Sequence, residues 1–134
     1  DFMEFDVNSS LSVLIVDDQK SMRSIIRQLL SQENIRNVAD AADGQAAIDL
    51  LAGHDITPPD VIICDLYMEG MDGMEFVNYL RRHKNHTPVL LLTGEKDSFI
   101  LDVVQQAGGV KVLRKPISAP DLANEIHQAI GVSG

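Results

Sequence analysis

Three short stretches of the chain are almost wholly apolar: residues 11–16 (LSVLIV), 61–64 (VIIC) and 89–92 (VLLL). Runs this short, without polar alternation, predict strands buried on both faces, as in a parallel sheet. Residues 38–41 and 110–113 are weaker candidates for two further strands. Between these runs the apolar residues return at helical spacing. Met22, Ile25, Ile26, Leu29 and Leu30 form one stripe, and Ala46, Ala47, Leu50 and Leu51 form another after Gly44. Phe76, Val77 and Leu80 follow Asp72, which with Glu75 makes a D-x-x-E helix start of the capping-box kind. Ile100, Val103, Val104 and Ala107 predict a fourth helix, stopped by Gly108-Gly109. Leu122, Ile126 and Ile130 predict a fifth, opened by Ser118 with Pro120 in its first turn.

Five strands alternating with five helices predict an α/β fold, a doubly wound five-stranded parallel sheet with right-handed crossovers and helices on both faces. Such sheets bind ligands beyond the carboxyl ends of their strands. The opening DFMEFDVNSS has no periodicity, so residues 1–10 are expected to be a flexible tail and residues 11–131 one domain. Thr57-Pro58-Pro59 is a loop before the third strand.

Composition narrows the function more than the fold. At 134 residues the chain has room for a single sizeable core. Its formal net charge of −9 argues against nucleic-acid binding by this domain, since phosphate backbones are gripped by excess Lys and Arg. No apolar run approaches the roughly 20 residues that span a bilayer, so no membrane association is expected. Cys64 is alone, which excludes an internal disulfide and fits a reducing, cytoplasmic setting. The four histidines lack metal-ligand spacing.

The position of the acids matters more than their number. The first strand ends in Asp17-Asp18, the third in Asp65 and the fourth in Thr93, and the fifth runs into Lys115-Pro116. In a doubly wound sheet these side chains converge on one rim. Each alone has an ordinary reading: Asp65 as a helix cap, the acid pair as solvated loop charges, Thr93 as a strand-end hydroxyl, Cys64 as a small buried apolar residue. Together they are an acid or hydroxyl at successive strand ends. Carboxylates crowded in this way repel one another unless a cation joins them. Mg²⁺ suits them, because it takes hard oxygen ligands and keeps several waters. Acids, a cation, an ammonium and a hydroxyl suit a phosphoryl group in transit.

The blocks LIVDD (14–18), VIICDLYM (61–68), MDG (71–73), LLLTGE (90–95) and LRKP (113–116) resemble the signature blocks of response-regulator receiver domains of two-component signalling. The resemblance runs from about Leu11 to Ile130 and implies a flavodoxin-like receiver fold, close to the single-domain chemotaxis regulators. It implies that Asp65 is the phosphoacceptor, taking a phosphoryl group from a sensor histidine kinase, a phosphotransfer protein or a small donor. Asp18 and Asp65 would hold Mg²⁺ directly, Asp17 mostly through water, and the backbone carbonyl of Tyr67 would complete the protein ligands. Thr93 and Lys115 would meet the phosphoryl oxygens, and the Lys115-Pro116 bond would be cis. Such a domain is no enzyme beyond assisting its own phosphorylation and dephosphorylation.

Three residues depart from the family pattern. Glu69 follows Met68 where a proline is usual, and Gly94 follows Thr93 where alanine is common. Val112 stands where an aromatic ring usually swings inward with the threonine. The expected output surface is therefore the 94–107 region with the last strand and helix, contacting a downstream protein or a second copy. A dehalogenase-type aspartyl phosphatase would need a second acid where Tyr67 stands. A receiver-like module that is never phosphorylated would be expected to lack one of the acids, Thr93 or Lys115. The apolar pattern ends at Ile130, which fits either a stand-alone regulator or part of a longer one.

Overall fold

The computed structural model describes residues 6–132. Five parallel strands form one sheet in the order β2-β1-β3-β4-β5: β1 (Ser12–Val16), β2 (Asn37–Ala41), β3 (Val61–Cys64), β4 (Val89–Thr93) and β5 (Lys111–Arg114). The helices are α1 (Val7–Ser10), α2 (Lys20–Gln32), α3 (Gly44–Ala52), α4 (Gly73–Arg82), α5 (Ser98–Gly108) and α6 (Ala119–Ile130). Among the described residues no helix is long and apolar enough to cross a membrane.

The continuous apolar strands are explained by two cores, one on each face of the sheet. Along β1, Val13 and Ile15 point to one side with Ile26 and Leu30 of α2 and Leu122 and Ile126 of α6. Leu14 and Val16 point to the other, with Ala47 of α3 and Phe76, Val77 and Leu80 of α4. A strand covered on both faces has no use for polar alternation. β2 is an edge strand with mostly half-buried or exposed residues, which explains its weak signal. Val112 in β5 is half-buried against the second of these cores, as is Val104 of α5.

Local chemistry sets the helix ends. Asp72 and Glu75 form the reciprocal capping box of α4, with the Asp72 carboxylate accepting from the Glu75 backbone at 2.8 Å. Ser118 caps α6, with Pro120 in its first turn. Gly109 ends α5 at φ 59°, in the left-handed region that glycine enters without penalty.

One helix was not expected. Residues 6–10, read from sequence as part of the tail, form the turn α1 capped by the Asp6 carboxylate. Asn8 ties it down, donating through Nδ2 to the Glu33 carbonyl at 2.8 Å while its Oδ1 lies 2.6 Å from Nε2 of His127. These are polar, long-range contacts that leave no periodic trace. Residues 1–5 of that expected tail lie outside the described residues.

Gly73, the first residue of α4, sits against the chain that leaves β3. A Cβ there would lie 2.5 Å from the carbonyl oxygen of Asp65 and 3.0 Å from Cα of Leu66. Both are backbone atoms that cannot rotate away. Gly73→Ala should therefore destabilise the domain by about 1–3 kcal/mol, seen as a lower urea midpoint with an unchanged slope. Gly94→Ala is the control: a Cβ there meets nothing within 4 Å, so the midpoint should hold or rise.

Candidate functional site

Strand register brings the expected side chains to one rim. Val16 of β1 pairs with Cys64 of β3, so Asp17 and Asp65 are the next residues on neighbouring strands. Thr93 of β4 pairs with Arg114 of β5, which places Lys115 one step beyond. Backbone bonds continue the sheet past its last pairs: Asp17 donates to Ala41 at 3.2 Å, Asp65 to Val16 at 3.0 Å and Lys115 to Thr93 at 2.7 Å.

The three acids occupy different environments. Asp17 is buried; its Oδ1 accepts from the Gln19 backbone at 2.8 Å and its Oδ2 from Nζ of Lys115 at 3.3 Å. Asp65 is half-buried; its Oδ1 accepts from the Tyr67 backbone and its Oδ2 from the same Lys115 Nζ, each at 3.3 Å. Asp18 is exposed, and its Oδ2 accepts from the Glu69 backbone at 3.2 Å. One carboxylate oxygen from each acid lies within 4.8 Å of the others. All three donors are hard oxygens with formal negative charge, a set that fits Mg²⁺ or a similar hard cation and not the nitrogen- and sulfur-rich sets of zinc.

Opposite the acids, Thr93 is fully buried, with Oγ1 accepting from the Glu95 backbone at 3.2 Å. The Lys115-Pro116 bond is cis. Asp18, Asp65, Tyr67, Thr93 and Lys115 line one cavity of about 500 Å³ together with Gln19, Met22, Gly94 and Glu95. Asp17 is joined to it through Lys115.

Sequence reading missed two side chains here. Tyr67 was expected to serve through its carbonyl; its hydroxyl also donates to Oε1 of Glu95 at 2.7 Å, linking the loops after β3 and β4. That bond raises the Tyr67 hydroxyl above its usual range and holds the Glu95 carboxyl below its own. Arg23 donates through Nη1 to the Asp17 carbonyl at 2.7 Å.

Burial raises the Asp65 carboxyl above its ordinary range; Lys115 works against this, and the Asp17 charge adds to it. Burial likewise keeps the neighbouring Cys64 thiol protonated, a packed residue and not a nucleophile. Because the folded state binds the Asp65 proton more tightly than the unfolded chain, its favourable contribution is complete below the normal carboxylate range. It is lost as pH rises through the raised value. Metal-free Asp65→Asn should therefore be more stable than the parent at neutral pH. The difference should shrink towards zero as pH falls through the carboxylate range, in thermal melts recorded in EDTA.

The sequence profile of the response regulator receiver domain matches residues 13–127. The chain is 32% identical over 128 residues to chemotaxis protein CheY-3 of Vibrio cholerae, covering 94% of this chain and 96% of that protein. Among solved structures it resembles V. cholerae chemotaxis protein CheY4, with a TM-score of 0.75 and 31% identity over 89% of this chain and 98% of that one. A response regulator receiver domain protein from Clostridium thermocellum gives a TM-score of 0.78 at 26% identity, over 90% of this chain and 94% of that one. On this profile match, this identity and this shared fold, the chain belongs to the response regulator receiver domain family.

Proposed function

We propose that this receiver domain accepts a phosphoryl group on Asp65, from a phosphohistidine of a sensor kinase or phosphotransfer protein, and switches partner binding in response. The observation that carries this reading is the placement of Lys115, whose ammonium lies 3.3 Å from both the Asp17 and the Asp65 carboxylate. A cation already in contact with Asp65 is positioned to meet an anion added there.

The residues divide the work. An oxygen of Asp65 forms a bond to phosphorus as the bond from phosphorus to the imidazole nitrogen breaks, and the electron pair leaves with the imidazole. Asp18 and Asp65, with the Tyr67 carbonyl, would hold Mg²⁺, and Asp17, the most buried of the three acids, would act mostly through water. When bound, that ion supplies the positive charge an anionic donor needs to approach three carboxylates. Thr93 would exchange its bond from the Glu95 backbone for one donated to a phosphoryl oxygen. Lys115 would pair with another.

That exchange is the proposed origin of the signal. Drawing Thr93 inward pulls on the 94–97 loop and the start of α5, where Asp97 caps the helix by accepting from Phe99 and Ile100. Val112 offers no ring to follow the threonine, and it is stiff at χ1. The output would therefore run along α5, where Phe99 is 74% exposed and Val103 47%, apolar surface suited to a downstream protein or a second copy.

Incubation with acetyl phosphate and Mg²⁺ should add one phosphoryl mass to the intact protein, and Asp65→Asn or excess EDTA should abolish it. Labelling that survives either change would refute the assignment. Lys115→Ala should still take up phosphate but lose the response of residues 94–107 to beryllofluoride and Mg²⁺, followed by NMR. In the parent, shifts confined to the neighbourhood of Asp65 would mean that the domain stores phosphate without transmitting it.

A further inference from the structure

Arg23 lies outside the cavity and has no part in the chemistry above. Its side chain is 16% exposed and makes two bonds in different directions. Nη1 donates to the Asp17 carbonyl at 2.7 Å, and Nε to Oδ2 of Asp40 in β2 at 3.3 Å. Asp40 is held from a second side by Arg27, one helical turn on, at 3.7 Å. Arg27 is anchored in turn by donating to the Val38 carbonyl at 2.9 Å. One guanidinium therefore spans from the edge strand to the turn that carries the acid pair.

The carbonyl it grips belongs to the peptide between Asp17 and Asp18. A peptide unit is planar, so fixing its carbonyl fixes the direction in which the chain enters Asp18. Asp17 hardly needs this, because its carboxylate is already held by Gln19 and Lys115. Asp18 does need it. Its exposed carboxylate makes one hydrogen bond, from the Glu69 backbone, so its aim rests on the backbone beneath it.

We propose that Arg23 is a positioning residue for the cation site, clamping the Asp17–Asp18 peptide so that Asp18 points at Asp65, with Asp40 orienting the clamp. The inference rests on the reading that Asp18 and Asp65 bind a divalent cation. A planar fork can serve a carbonyl and a carboxylate at once, which a single ammonium does less well.

The sign of the effect separates this role from simple electrostatics. Removing a positive charge near three carboxylates should, by Coulomb's law alone, tighten Mg²⁺ binding. Loss of a clamp should weaken it. Mg²⁺ titration by calorimetry on the whole chain is the test, with melts in EDTA recorded alongside. Arg23→Met should bind Mg²⁺ about tenfold more weakly or worse, the range typical of lost outer-shell support. Arg23→Lys should recover part of that loss, and Asp40→Asn should show a few-fold weakening. A melting temperature lowered in Arg23→Met with Mg²⁺ affinity unchanged or tightened would overturn the inference and leave Arg23 as a brace between α2 and β2. Should Arg23→Met not fold, Arg23→Lys decides, because it keeps the charge and loses the fork: weaker binding than the parent supports the clamp and parental affinity overturns it. A parent chain that takes up no Mg²⁺ would instead remove the phosphoacceptor reading, and this inference with it.

Discussion

Like charges gathered at the end of a sheet are the constraint around which this domain is organised. Oxygens of Asp17, Asp18 and Asp65 lie within 4.8 Å of one another, and one ammonium, Lys115, bridges the two less exposed acids. The acids are 98 and 50 residues away from Lys115 in sequence, so the balance exists only once the sheet has formed. Burial makes the arrangement costlier, since it disfavours the charged carboxylates. The rim is a place where the fold spends stability, and a rim built in that way responds strongly to any new charge.

What holds it is the hydrophobic sandwich behind it. β1, β3 and β4 are buried along their whole lengths between the two cores. A strand packed on both faces has little freedom to slip, because a shift of one residue would exchange its inward sets between the cores. Register is therefore well fixed where Val16 meets Cys64 and where Thr93 meets Arg114. The side chains of the rim inherit that precision by being the last or next residues. The strand order supplies the rest. The chain reverses its direction of winding between β1 and β3, and the crevice opened there lies between the two strands that carry the acids.

Elements stabilised by apolar burial or by local caps were legible in the sequence; those stabilised by distant polar contacts were not. The five strands followed from composition, and the starts of α4 and α6 from Asp72, Glu75, Ser118 and Pro120. The α1 turn depends on Asn8 meeting Glu33 and His127, residues 25 and 119 positions away. Nothing in the string VNSS announces that. The site divides in the same way. Its acids, threonine and lysine were legible as residues at strand ends, whereas the Tyr67–Glu95 bond joins two side chains, and the Arg23 contact a side chain to the Asp17 carbonyl, across separations that no spacing rule gives.

The Tyr67–Glu95 bond has a consequence for how the domain can be watched. The chain contains two tyrosines and no tryptophan. Tyr79 lies in α4, its ring stacked on His83 with centroids 4.0 Å apart, away from the rim. Tyr67 is 52% exposed at the mouth of the cavity, with its phenol bound to a carboxylate on the facing loop. A near-ultraviolet change that accompanies movement of the rim loops therefore arises mainly from one ring. The native sequence carries its own optical label at the entrance to its site, and needs no engineered fluorophore to report when that entrance rearranges.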